Sequence, residues 1–460
     1  MNKTKQRMMT AGVLLLVIVA GVVWWTRTPS VTETDEPSTF MSYAGPVLPL
    51  QITKPNASVT VERTVTLDFS QYDAAQADRE NRNETETNVE DRYLLHNPTE
   101  EAQTLQLSYP SCGRLLDTVN RMPRILVDDD AAEIQRFAGD RLNEIGAEGY
   151  EEKRSYEDYI ALLRNGSYRE KATEKFPDLN RDAIVYEFRE TAADTGKWPA
   201  ATLAVSFHTN ENTQVLTYGF DGFQWDEKGP RTYSFFVPKE GTPAYSQRHD
   251  LIVLGEDITE PVWKGYETGA MEKEIPVESA LTRRETKLDE VLRSLLQDHV
   301  ARWDAREGEK MLSFFSEEDY LGWVSGFLLE IGAVDKQEDR HIMASMLEDV
   351  FSQNDRFDRV FFQDFTVQIP AGESVEVVIE QFKDASLDYA GSGSKNEGVY
   401  GYDLLPAAGV SLPVTELTLR LVNAESIAIV RQNIGFTEND DTVTPDPAEE
   451  HYYVEIERKP

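Results

Sequence analysis

The sequence has a single cysteine, Cys112. No disulfide can form within the chain, and no thiolate zinc site can be assembled. Cys112 stands in the turn-like Tyr109-Pro110-Ser111-Cys112-Gly113, the setting of a small turn residue rather than a nucleophile. Histidine is scarce as well. The six are His96, His208, His249, His299, His341 and His451. No two fall at H-x-x-x-H or H-x-H spacing, which removes the zincin pattern. Basic charge is short: 46 Lys and Arg stand against 82 Asp and Glu, for a net charge of −36. Such a surface repels phosphate backbones and anionic lipid headgroups, so no nucleic-acid partner is expected.

Long apolar runs are missing too, with one exception. The 18 residues from Met8 to Trp25 carry no formal charge. As a helix at 1.5 Å per residue they would measure about 27 Å, close to a bilayer's hydrocarbon core. Lys3, Lys5 and Arg7 precede the run with no acidic residue among them. The positive-inside tendency then leaves residues 1–7 in the cytoplasm and everything after Trp25 outside. The nearest A-x-A-like cleavage site, Ile18-Val19-Ala20, falls inside the run, while Trp24, Trp25 and Arg27 form an interfacial flank. An uncleaved signal anchor over 8–25 is therefore expected in place of a cleaved signal peptide. The expected localisation is the cell membrane, as a single-pass protein with a C-terminal ectodomain. Residues 26–57, polar and carrying Pro and Thr, read as a linker lifting that ectodomain off the bilayer.

Beyond the linker, period-two alternation dominates. Val59, Val61, Val65, Leu67 and Phe69 occupy alternate positions, with Arg63 the single break. Arg92–His96 and Leu105, Leu107, Tyr109 continue the pattern, and Asn97-Pro98-Thr99 between them predicts a hairpin. Ile125–Val127 is a short strand ended by Asp128-Asp129-Asp130. A helical insertion is expected over about 131–182, where Ser155–Asp158 has capping-box form ahead of Tyr159, Ile160 and Leu163. Strands return at Ile184, Leu203, Leu216, Tyr233 and Leu251, so residues 58–270 read as one β-sandwich. Over 275–355 the period becomes helical. Leu281, Leu288, Val291, Leu292, Leu295 and Leu296 make one stripe. Ser316–Asp319 opens a second helix that Gly332 closes, and Met346, Leu347, Val350 and Phe351 end a third stripe. From 356 to 460 alternation resumes, with Pro370–Glu373 as a tight turn, and predicts a second sandwich. The expected fold class is mainly β with α (α+β): an N-terminal transmembrane helix and two antiparallel β-sandwich domains separated by a helical module.

Several phrases occur together: Ser42–Leu50, the strand-turn-strand Arg92–Tyr109, Ser386–Ser394 running on to Gly401-Tyr402-Asp403, and His451–Glu457. In these the chain resembles a group of membrane-anchored, exported proteins of clostridia-like Gram-positive bacteria. The resemblance touches both β regions. It implies the compartment and the kind of organism, and carries no activity or catalytic residue across.

Motifs that carry chemistry are few. Gly391–Gly398 is glycine-rich and includes Lys395, but lacks the G-K-[ST] ending of a P-loop. Ser392 is not in a G-x-S-x-G elbow. Asp178–Asp182 imitates an EF-hand start, yet Ala183 and Arg189 replace the turn glycine and the bidentate acid. No catalytic residue, metal ligand or cofactor is assigned. The candidate ligand loop is the region of Asp388, Tyr389, Gly391, Gly393, Tyr400, Tyr402 and Asp403, because aromatic faces beside carboxylates suit sugars or cationic peptides. A non-enzymatic binding or scaffold ectodomain at the cell envelope is expected. Its partners would be the cytoplasmic membrane through residues 8–25 and an envelope protein or wall component. The alternative is an exported carboxylate-dependent cell-wall hydrolase.

Overall fold

The computed structural model describes residues 37–54, 56, 58–72, 86–115, 121–141, 180–224, 229–239, 241–243, 247–307, 311–313, 315–334, 346–407, 411–437 and 440–459. The expected membrane helix and the helical pattern around Ser155–Leu163 lie outside them. The chain is mainly β-strand with few helices, in several sheets. Among the described residues no helix is long and apolar enough to cross a membrane.

The N-terminal part contains β1 (Pro46–Val47), β2 (Gln51–Ile52), β3 (Thr60–Asp68), β4 (Glu86–His96), β5 (Gln103–Arg114), β6 (Arg124–Val127), β7 (Asp130–Ala131) and β8 (Gln135–Arg141). The central part contains β9 (Asp182–Ala192), β10 (Thr202–Phe207), β11 (Thr213–Tyr218), β12 (Gly222–Gln224), β13 (Arg231–Phe236), β14 (His249–Gly255), β15 (Val262–Tyr266), β16 (Glu274–Ile275) and β17 (Glu278–Lys287). Helices α1 (Leu288–Glu307), α2 (Glu317–Glu330) and α3 (Leu347–Arg356) come next. The C-terminal part contains β18 (Asp358–Ile369), β19 (Ser374–Asp384), β20 (Ser386–Leu387), β21 (Val399–Leu404), β22 (Val414–Val422), β23 (Ile427–Gln432), β24 (Thr442–Val443) and β25 (Tyr452–Arg458).

Strands from the two ends of the chain share sheets. One sheet runs β24-β22-β3-β4-β19-β6-β7, a second β2-β5-β18-β8, and a third β1-β21-β25-β23 with β20 on β21. The ladders β1–β21 and β3–β22 are parallel. The expected division into one sandwich over 58–270 and another over 356–460 is corrected by this order. Alternation marks a strand but says nothing of its partner, and here the partners are hundreds of residues apart. The expected hairpin at Asn97 is corrected for the same reason. β4 pairs with β3 and β19, whereas β5 pairs with β2 and β18. The turn at Asn97 therefore carries the chain from one sheet to another, as does the turn at Pro370–Glu373. The buried Asn97 amide holds both corners, donating to Glu101 O, Ile369 O and Pro370 O at 2.8, 3.2 and 3.0 Å. The linker reading of 26–57 is shortened, since Val47, Leu48, Leu50 and Ile52 are core residues. The helical reading from 131 is shortened likewise, because Gln135–Arg141 is a strand on β18, and the turn expected at Tyr109–Gly113 is strand, with Cys112 in β5 paired with Val360.

One face of the large sheet covers both smaller ones. Val61, Tyr93, Leu95, Val377 and Ile379 pack with Leu105, Leu107, Phe365 and Val367 of the β2-β5-β18-β8 sheet. Val65, Leu67, Val89, Leu417 and Leu419 pack with Tyr402, Leu404, Val454 and Ile456 of the third sheet. Arg63, the one break in the alternation of β3, points inward between these two cores and is 1 % exposed. Its guanidinium donates to both oxygens of Asp91 at 2.9 and 2.8 Å and to Leu405 O at 2.7 Å. Tyr93 OH donates to the same carboxylate at 3.0 Å and accepts from Leu50 N at 2.8 Å. The backbone runs between sheets near Leu48 and Leu405, and Arg63 supplies donors to the carbonyls of both. Burial pulls the Arg63 pKa down, but the facing Asp91 carboxylate outweighs it and the net shift is upward.

The central strands form two sheets of their own, β11-β14-β9-β17 and β12-β13-β10-β15-β16. Tyr186, Phe188, Leu251 and Val253 of the first face Leu203, Val205, Tyr233 and Phe235 of the second. The other face of the first sheet, through Val185, Leu216, Ile252 and Leu254, packs on Val291, Leu295, Val324, Phe327 and Val350 of the helices. With both faces covered, β14 reads Leu251-Ile252-Val253-Leu254 without alternation. Leu281, expected on a helical stripe, lies instead in β17, paired with Phe188. Ser316 does cap α2 with the reciprocal capping box its spacing predicts, and Gly332 stands just past the helix with φ of 72°.

Candidate functional site

The seven residues of the candidate loop go to different places. Tyr402 is core: its ring meets Phe69 edge-on at 5.5 Å, and its hydroxyl is hydrogen-bonded to that of Tyr72. Burial pushes its phenol well above the usual range. Tyr400 is half-buried, with Tyr72 edge-on at 5.7 Å. Asp403 is nearly enclosed, its carboxylate 3.1 Å from His451 Nε2. Only Tyr389 presents a broad aromatic surface, at 61 % exposed. Gly391 and Gly393 have φ of 78° and 68°, the left-handed region that glycine enters without strain.

Those two glycines curl the loop round one carboxylate. Gly391 N and Gly393 N donate to the two oxygens of Glu397 at 2.7 and 3.1 Å. Asp388, 7 % exposed, accepts from Ser394 Oγ and, at 2.6 Å, from the backbone N of Met41. Asn396 Nδ2 donates to Thr39 O at 3.1 Å, and Asn396 Oδ1 accepts from Arg431 at 3.1 Å. Arg431 Nε in turn reaches Glu455 at 2.6 Å. The loop's polar groups thus converge on the chain's own residues 38–41. Composition points to the loop through its glycines and tyrosines, yet it passes over Asn396, Glu397 and Glu455. Nothing local in the sequence marks Asn396 and Glu455, because their partners Thr39 and Ser38 lie more than 300 residues away.

Two further buried polar groups lie at the helices. Glu348, in the first turn of α3, accepts from Gly219 N, and its second oxygen Oε2 has no hydrogen-bond partner among the described residues. Burial pushes its carboxyl up to about 7, opposed by its own backbone N–H, Gly219 N–H and Arg302. Beside it, Tyr218 lies under Arg248 and Arg302, 5.8 and 5.2 Å from the ring centre. Elsewhere in the layer, Asp355 joins His299 of α1, at 2.8 Å, to Tyr320 of α2. This last set ties three helices together. Among the described residues no group of three or more His, Cys, Asp or Glu side chains is placed to hold a metal ion.

Comparison with family models, with curated proteins and with solved structures gave no match.

Proposed function

We propose that this chain is a membrane-anchored extracytoplasmic protein whose body, two sandwiches and a helical layer, is a non-enzymatic binding or scaffold module at the cell envelope. The observation that carries this reading is the use of the candidate loop's acceptors. Asp388, Glu397 and Glu455 are engaged by backbone N–H groups and by Arg431, leaving a surface suited to contact rather than proton transfer. The charge-free run Met8–Trp25 and its basic leader support the anchor. The resemblance to exported proteins of clostridia-like bacteria points to the same compartment. The test is protease treatment of intact cells with a reporter fused after Pro460. Cleavage of the body from outside is expected; a cytosolic reporter or a protected body would refute the topology. Crosslinking in intact cells, then membrane solubilisation, should recover an envelope protein or wall fragment.

A second reading, the exported wall hydrolase, draws on Glu348, whose carboxyl titrates near neutrality as a general acid must. Clearing of purified cell wall in a gel by the wild-type chain, and its loss in Glu348→Gln, would favour it over the scaffold.

A further inference from the structure

The two ends of the described chain meet on one sheet. Ser38 N and Oγ donate to the two oxygens of Glu455 at 2.6 and 2.9 Å, across 417 positions of sequence. Thr39 O accepts from Asn396, and Met41 N donates to Asp388. Ser42 and Leu387 exchange both backbone hydrogen bonds, at 3.0 and 2.9 Å. Ala44 N donates to Ser386 Oγ at 3.0 Å, and Ala44 O accepts from Lys383 Nζ at 2.6 Å. Between these bonds the Phe40 ring, 5 % exposed, fills the space left by Gly401, where a Cβ would lie 2.5 Å from the ring. Main-chain bonds for affinity and one side-chain socket for selectivity are how proteins bind an extended peptide along a strand.

We propose that residues 38–44 are a clasp: a peptide ligand, supplied by the chain itself, for a site built from Lys383, Ser386, Asp388, Asn396, Gly401 and Glu455. The site takes an extended segment with an aromatic residue, Phe40, and a serine two positions to either side, Ser38-Thr39-Phe40-Met41-Ser42. Glu455 belongs to β25, so the Ser38 end of the clasp closes only when the last strand is in place. Any pull arriving at residue 37 is then borne by C-terminal strands, and the central sheets stand off that path. The clasp holds whether or not Met8–Trp25 lies in a bilayer, so it fails independently of the membrane reading.

Hydrogen exchange on the full chain, resolved peptide by peptide, tests the clasp. In the wild type, amides of residues 38–44 should exchange at least about 100-fold more slowly than in an unstructured peptide. Gly401→Val, which evicts the Phe40 ring, should speed that exchange at least about 10-fold and leave residues 182–287 unchanged. Phe40→Ala alters the ligand and not the site, and should act in the same selective way. Random-coil exchange of 38–44 in the wild type would overturn the proposal, and so would protection retained in both variants. Loss of protection over 182–287 together with 38–44 in both variants would also overturn it, because the clasp would then not be a separable device.

Discussion

The two β-regions of this molecule solve the same problem in opposite ways. The central one is contiguous, and its core is a run of touching rings: Phe220 meets Phe235 at 5.2 Å, Tyr233 at 6.0 Å and Phe188 at 6.3 Å. The outer one is assembled from both ends of the chain, and its two cores are divided by a buried ion pair with side-chain exposures of 0 %. A contiguous region closes with short connections and can rely on non-directional apolar contact. A discontinuous one must bring distant segments into a single register. Directional bonds from Arg63, Asn97, Asp388 and Glu455 mark several of the places where it does so. Buried polar groups give register at a cost in desolvation, and the cost becomes visible when one partner is removed.

The contrast can be broken most severely at the seam. Asp91→Ala leaves the Arg63 guanidinium buried without its carboxylate and should cost about 5 kcal/mol. Every tryptophan after Trp25 lies between Trp198 and Trp323, so tryptophan fluorescence from the body reports mainly the central region and the helices, with Trp323, stacked on Arg359 of β18, at their border with the outer region. In denaturant, loss of β-sheet circular dichroism should therefore precede the fluorescence change in this variant. Coincident transitions would show that the two regions unfold as one. Phe220→Ala tests the other side of the comparison and should cost about 4 kcal/mol through the cavity it leaves. Here the fluorescence transition is expected to move first.

A smaller effect belongs to the contact between α3 and the end of β11. Glu348 titrates near 7 when folded and near 4.5 in its ordinary state. As pH rises, the unfolded chain loses this proton first. Stability from this group is fully present below about 4.5, falls between about 4.5 and 7, and stays low above. The total drop is about 3 kcal/mol for a group so enclosed. Glu348→Gln removes the titrating carboxyl while keeping Tyr218, Asp221, Arg248, Asp298 and Arg302 around it in sequence, and should flatten this slope in melting curves taken from pH 4 to 8. A slope that survives the substitution would assign it to another group. The smallest effect is Ser316→Ala. It removes the cap that accepts from Asp319 N at 3.1 Å and should lower the denaturant midpoint by the equivalent of about 1 kcal/mol.

Element by element, much is legible in the sequence. The alternation over Val59–Phe69 is β3, the capping box at Ser316 is the start of α2, and Leu417, Leu419 and Leu421 lie on one face of β22. The break at Arg63 is legible too, though not its meaning. Leu281 misleads because one leucine fits a helical stripe and an edge strand equally well. Composition finds the candidate loop, while its occupant, the chain's own Ser38–Ser42, reads as part of a linker. Polar segments look alike whether water or a protein carboxylate takes their backbone bonds.

What the sequence determined by itself is local: strand and helix periods, caps, turns, the charge balance and the absence of disulfides. These arise from geometry that repeats within a few residues. Tertiary structure alone decided which strands pair, that both ends share three sheets, and that Asp388 and Glu455 hold Met41 and Ser38. A strand offers the same row of backbone donors and acceptors to any partner. The choice among partners is made by shape and burial across the whole chain, which no short window of sequence contains.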